Sequence, residues 1–481
     1  MTTSGRRPHV VLVMTDQQRY DTIAALGYPH MVTPNLDRLA SEGVAFERNY
    51  VTAPSCTPSR ASFFTGLYPS GNGVFRNDDP WPRTWVEDLS GSGYRCVSIG
   101  KMHTYPYEAP TGFHERHVVE NKDRGTPTVP FFFDNWDKAL HVSGVVKPDR
   151  RTLRSRPDYQ ERLGAFEWTL PEHLHADAFV GSLACRWLEE YPGEEPFFLQ
   201  IGFPGPHPPY DAPQRLIDQY ADRELPPVVR TSEEFAAMPP QIATVRREHL
   251  SNDHDSIVHL ENPTPEQLRR QRAHYYANVT LIDEQIGELF EALERRGVLE
   301  DTVVIFTSDH GDALNDHGLS QKWTMYDPSV RVPAIVHGPA YIQPREPIKT
   351  PISHFDLGAT ILELAGIEQR PGVAARSVLP VLQGDSEWNS RDYVFAEQAR
   401  DSIQQDSEMM TMIADARWKL VCFTDADDGQ LFDLEADPEE LHDLWDNPDA
   451  AEVKTALLAR VAAWRTEVLL SSREWWNELV H

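Results

Sequence analysis

The segment APSCTPSRASFFTG, residues 53–66, sets Cys56, Pro58 and Arg60 at alternate positions just where a helix is expected to begin. Ser55 or Thr57 can cap that helix and Pro58 suits its first turn, but neither role calls for a thiol or a guanidinium. A helix N-terminus beside an arginine binds anions, and it is also where a cysteine becomes reactive. Two further pairs lie just beyond apolar runs: Asp16 and Gln17 after VVLVMT, and Asp309 and His310 after VVIFTS. Three oxygen-bearing side chains and an imidazole suit a divalent cation, provided the two segments end side by side. Taken singly, each pair has a plainer reading as loop or helix-capping residues.

These residues need a scaffold that gathers chain segments far apart in sequence. Apolar, β-branched runs predict buried strands at residues 9–15, 95–100, 196–203, 302–308 and 332–338. Helical patterns alternate with them: TPNLDRLASEG offers Thr33 as N-cap and Gly43 as a stop, and residues 264–297 place Leu268, Tyr275, Val279, Ile282, Ile286, Leu289 and Leu293 at helical spacing. The alternation predicts an α/β fold, a large mostly parallel sheet sandwiched by helices, whose ligands gather beyond the carboxyl ends of the strands. Residues 105–165 and 203–263 show no clear period and read as long functional loops. From about residue 376 the pattern shifts to the short runs DYVFAEQ, MMTMIAD, WKLVCF and QLFDLEAD and an amphipathic helix over about 449–469. We read a catalytic α/β domain over residues 1–375 and a small C-terminal subdomain over 376–481, an antiparallel sheet with a helix.

The chain has 481 residues, enough for a large core, and sets 45 Lys and Arg against 74 Asp and Glu, a formal charge of −29. That balance argues against nucleic acid or an anionic membrane as a partner, while leaving room for an anionic substrate held by a few converging cations and a metal. Cys56, Cys96, Cys185 and Cys422 are scattered, with neither zinc-type spacing nor disulfide density. A reducing cytoplasm fits them. The amino-terminal apolar run is too short for a signal peptide, and no stretch approaches the about eighteen apolar residues of a membrane span.

CTPSRASFFTG resembles the C-x-P-S-R signature of the type I sulfatases, within the alkaline-phosphatase-like superfamily. Other motifs follow in the family's order. MTDQQRYD resembles the amino-terminal metal motif, with Gln17 where many sulfatases carry a second aspartate, as in the choline sulfatase and phosphonate monoester hydrolase branches. SDHG places Asp309 and His310 as the remaining metal ligands. GKMH places Lys101 on the sulfate and His103 beside the nucleophile; both follow a strand and, at i and i+2, share one side of an extended chain. GPHPPY gives His207 as the leaving-group histidine, GLSQKWTMYDPSVRVP gives Lys322, and FRNDD gives Asn77 as a further substrate contact.

The resemblance implies that a formylglycine-generating enzyme oxidises Cys56 to formylglycine, whose hydrated aldehyde attacks sulfur while one divalent ion, Ca2+ ahead of Mn2+ or Mg2+, and the cations Arg60, Lys101 and Lys322 hold the sulfate. Asp309 takes the nucleophile's proton, His207 assists the departing alcohol or phenol, and His103 deprotonates the second hydroxyl so that sulfate is expelled. The expected activity is hydrolysis of a small aryl or alkyl sulfate monoester. Phosphonate monoester or phosphodiester hydrolysis, and choline-sulfatase-like specificity, are the alternatives; a binding protein that merely kept the fold is disfavoured by the full set of catalytic residue types. A homo-oligomer is compatible with the sequence. Tyr105, Phe133, Trp136, Trp323 and Tyr326 can meet an aryl or quaternary ammonium group, or can equally be core. His114, His117, His254 and His317 read as surface histidines, and Asn278 of the NVT triplet as unglycosylated within a helix.

Overall fold

Runs such as VVLVM lack polar alternation because both faces of their sheet are covered. In the computed structural model, which describes residues 7–120, 133–385 and 388–480, seven strands make that sheet. They are β1 (His9–Asp16), β2 (Val44–Ala45), β3 (Arg95–Gly100), β4 (Glu115–Val118), β5 (Phe197–Pro206), β6 (Thr302–Ser308) and β7 (Ala334–His337). Their spatial order is β2-β7-β6-β1-β5-β3-β4. Every pairing from β6 through β1, β5 and β3 to β4 is parallel, whereas β7 runs antiparallel to both β6 and β2. Part of the amino-terminal stretch, residues 1–6, and part of the irregular stretch, residues 121–132, lie outside the described residues.

Alternate residues of β1 feed two cores. Val10, Leu12 and Met14 pack with Phe63 and Phe64 of α1 (Cys56–Thr65) and with Leu357 and Ile361 farther along the chain. Val11 and Val13 face Val180, Ala184 and Leu188 of α2 (Ala176–Glu190) and Ile282, Ile286 and Leu289 of α3 (Pro265–Arg296). The long α3 fills the 264–297 range its spacing predicted; it begins with a capping box between Thr264 and Gln267 and ends at Gly297, φ 72°. Thr33 precedes its helix as expected but makes no side-chain cap; its hydroxyl accepts from the Ala24 N–H and donates to Asp37. Asn278 is fully buried within α3.

The C-terminal strands β8 (Val394–Ala399), β9 (Met409–Ala414), β10 (Trp418–Phe423) and β11 (Gly429–Asp433) form an antiparallel meander. One face takes the helix α4 (Ala451–Val480), through Leu457, Val461, Trp464 and Val468; the Trp464 and Phe395 rings stack at 4.4 Å. This helix outruns its expected end because Trp475, eleven residues beyond Trp464, is buried in turn. The other face packs on Trp323, Met325 and Tyr326, so the small sheet backs the loop that carries Lys322. Trp323 and Tyr326, considered for a substrate pocket, are therefore core, and Trp136 is buried in the core under α2 and α3, while Tyr105 and Phe133 are exposed. His317 corrects the surface reading: it is buried, stacked on Tyr326 at 3.8 Å and paired with Glu234 at 2.6 Å.

Candidate active site

The parallel register puts Thr15 of β1 beside Ser308 of β6, so Asp16 and Asp309 leave the sheet side by side. That adjacency is the condition a shared cation required. On the other flank, Asp16 aligns with Pro206 at the end of β5, which brings in His207. Beyond β5, β3 ends at Gly100, φ 98°, a left-handed turn that glycine adopts without strain, and delivers Lys101 to the same edge. Lys101, Asp16, Gln17, Arg60, Asp309 and His310 are all fully buried.

Cys56 is the first residue of α1. Its Sγ lies 3.0 Å from Lys322 Nζ, 3.2 Å from His310 Nε2 and 3.8 Å from Asp16 Oδ1. Neither serine nor threonine caps this helix as the sequence suggested. Ser55 makes no side-chain cap, and the Thr57 hydroxyl donates instead to the His103 carbonyl at 3.1 Å. The extended-chain argument for His103 also fails, since its φ is 61°; a turned backbone, held by Thr57 and by the Glu120 carboxylate at 3.3 Å, seats it beside the first turn of α1.

The two aspartates divide their oxygens. Oδ2 of Asp16 pairs with Lys101 and, at 3.5 Å, with Arg60, and Oδ2 of Asp309 accepts from Arg60 Nε at 2.7 Å. Both Oδ1 atoms instead turn toward His310 Nε2, each at 3.7 Å. One ligand atom from each of Asp16, Cys56, Asp309 and His310 can be chosen so that all lie within 4.8 Å of one another. Gln17 presents Oε1 to the same space, 3.2 Å from Lys322 Nζ. These donors, rich in oxygen with one imidazole, fit a hard divalent cation.

Burial and Asp16 push the Cys56 thiol up, but Lys322, Lys101 and His310 together pull it below its ordinary value. Burial also opposes the charge on Asp16, yet Lys101, His207, Arg60 and Lys322 hold it well below the usual carboxylate range. His310 is driven down by burial and up, more strongly in sum, by Asp309 and Cys56. His207 is the opposite case: burial dominates and lowers it to about 3, so at neutral pH its ring is uncharged, with Nδ1 donating to the Pro208 carbonyl at 2.8 Å.

Residues 8–367 match the sulfatase family, and residues 315–467 match the C-terminal family of N-sulphoglucosamine sulphohydrolase. The chain belongs to the sulfatase family. An arylsulfatase of Clostridium perfringens is 31% identical over 93% of this chain and 92% of its own length. A choline-sulfatase of Rhizobium meliloti is 32% identical over 97% and 88%. Among solved structures, the phosphonate monoester hydrolase of Agrobacterium radiobacter superposes with a TM-score of 0.81 at 25% identity, covering 96% of each chain.

In this sulfatase ten of the eleven residues singled out from sequence gather at one sheet edge. Asn77 does not join them: it is exposed, in a turn that the Asp79 carboxylate closes by accepting the Phe75 and Arg76 N–H groups. Two residues beside this cluster escaped the sequence reading. Asp255 pairs with Arg150 and lies 3.7 Å from His207 Nε2, but its segment carries no periodic signal. Asp312, which binds Gln17 at 2.7 Å, was accessible as the next acid after SDHG.

Proposed function

We propose that this sulfuric ester hydrolase cleaves a small sulfate monoester, aryl ahead of alkyl, with Cys56 as the precursor of its nucleophile. The observation that carries the reading is the position of Cys56 Sγ at a helix N-terminus, within 3.8 Å of Lys322, His310 and Asp16. Once converted by a formylglycine-generating enzyme, that residue supplies a hydroxyl nucleophile, and one divalent ion, Ca2+ or else Mn2+ or Mg2+, bound by Asp16, Gln17, Asp309, His310 and residue 56, supplies Lewis acidity.

The protein's own groups do the rest. Asp309 Oδ1 takes the proton of the attacking hydroxyl, with its other oxygen fixed by Arg60. Lys322 Nζ, with Lys101 and Arg60 behind the carboxylates, opposes the charge that builds on the sulfate oxygens. His207, whose Nε2 lies 3.7 Å from Asp255, is the group assigned to the departing alcohol or phenol. His103 is the base that returns the nucleophile to its starting state. Asn77, on its exposed turn, supplies at most a contact from outside.

A second reading, phosphonate monoester or phosphodiester hydrolysis, is favoured by the structural likeness to a phosphonate monoester hydrolase, and a choline-like alcohol by the choline-sulfatase relative. The two-unit division at residue 375, and a reducing cytoplasmic location consistent with four free cysteines, are part of the same proposal. The test is mass spectrometry across Cys56 after co-expression with a formylglycine-generating enzyme, followed by turnover of aryl sulfate, choline sulfate and aryl phosphonate. A loss of about 18 Da with sulfate turnover fastest supports the reading. An unchanged thiol overturns the nucleophile, and faster phosphonate turnover overturns the substrate class.

A further inference from the structure

Behind Gln17 stands a carboxylate that the reaction described above does not use. Asp312 lies two residues past His310 and is fully buried. Its Oδ2 accepts from Gln17 Nε2 at 2.7 Å and from the Tyr210 hydroxyl at 2.6 Å, and its Oδ1 accepts from the Leu314 N–H at 2.9 Å. A carboxylate only accepts, so the pairing decides which end of the Gln17 amide is which. The nitrogen must face Asp312, and Oε1 must face the cluster, where Lys322 Nζ meets it at 3.2 Å. The backbone of Gln17 is fixed as well: φ is 71°, its N–H donates to Asp309 Oδ1 at 3.0 Å, and its carbonyl accepts from the Tyr275 hydroxyl at 2.7 Å.

We infer that Asp312 is a positioning residue of the cation site: it turns the Gln17 carboxamide oxygen toward the cluster and supplies, one hydrogen bond removed, the negative charge that Gln17 itself lacks. The inference rests on the reading of this cluster as a site for one divalent ion. It gives a physical reason for an amide at position 17, since a carboxylate there would face Asp312 with no proton between them. Outer carboxylates that orient a metal ligand typically change affinity by about 10–100-fold.

The test is calorimetric titration of the full, Cys56-converted chain with Ca2+ and with Mn2+. Asp312→Asn is expected to weaken binding about tenfold or more, because its amide nitrogen must face another donor, Gln17 Nε2 or the Leu314 N–H. The exchange variant Gln17→Glu/Asp312→Asn is expected to regain affinity to within about threefold of the parent. There, the amide nitrogen introduced at position 312 can donate both to the carboxylate at position 17 and to the Tyr210 oxygen, while the amide oxygen still receives the Leu314 N–H. A role confined to packing predicts no such rescue. If Asp312→Asn binds as the parent does, or if the folded exchange variant binds no better than Asp312→Asn, the inference is overturned while the cation site stands. If the parent binds neither ion, both fall. Should Asp312→Asn fail to fold, as judged by circular dichroism, the exchange variant decides alone: folded with near-parent affinity supports the inference, and folded without it overturns it.

Discussion

At the carboxyl end of β1, Lys101 and Arg60 pair with Asp16 and Asp309; beneath the C-terminal sheet, Lys419 pairs with Asp327 and Glu440. Both clusters are buried, and both set lysines among carboxylates. In the second, Lys419 also donates to the Met325 carbonyl at 3.1 Å and Arg331 joins Asp327 at 3.3 Å, so two cations meet two acids. It fastens the loop after Lys322 to the small sheet. In the first, Lys322 meets a thiol, an amide oxygen and an imidazole, and the carboxylates of Asp16 and Asp255 also hold its charge. Buried charge is common to structural and reactive clusters. A cation converging on a thiol at a helix N-terminus sets the proposed active cluster apart.

The contrast can be broken most sharply at its centre. Cys56→Ala is expected to cut sulfate ester turnover by about 10⁴-fold or more while the protein keeps its circular dichroism and unfolding midpoint. Lys419→Met strands Glu440 and leaves Asp327 to Arg331 alone, and should cost about 3–5 kcal/mol in urea unfolding, with kcat of the folded fraction unchanged; a loss of kcat instead would erase the distinction between the clusters. For Lys322→Ala the loss is expected in turnover, with kcat falling by about 10²–10³-fold.

The support behind α1 carries its own pH signature. His354 Nε2 meets the Ser59 carbonyl at 3.0 Å, and burial, only partly opposed by Ser59 and Asp309, lowers it to about 4. Above the unfolded value near 6.5 it is neutral in both states. As pH falls below that value the unfolded chain takes the proton first, so stability drops, by about 3 kcal/mol at pH 4, and levels off below. His354→Gln should flatten the slope of unfolding free energy between pH 4 and pH 6.5, as compared in parallel urea titrations. The smallest effect is expected at Asn77: its replacement by alanine should change kcat/KM by less than about threefold, in keeping with an exposed turn outside the cluster.

Much of the scaffold was legible because its signals are local. The strands at 95–100 and 302–308 begin and end where apolar runs do, and α3 follows its 3.6-residue period. The antiparallel direction of β7 was not legible, since a short buried run reads alike in either direction. Nor was it legible that α1 lacks a side-chain cap, because Thr57 finds a distant carbonyl rather than its own helix.

The sequence by itself determined the residue types of the proposed site and the strands and helix that carry them, since periodicity and contiguous motifs are written over a few neighbouring positions. Only the tertiary structure decided that Asp16, Lys101, His207 and Asp309 meet beyond parallel strands, that Asn77 stays outside, and that Asp255 and Asp312 stand behind His207 and Gln17. Those relations depend on strand order, register and left-handed turns at Gln17 and His103, and such long-range geometry leaves no mark in local spacing.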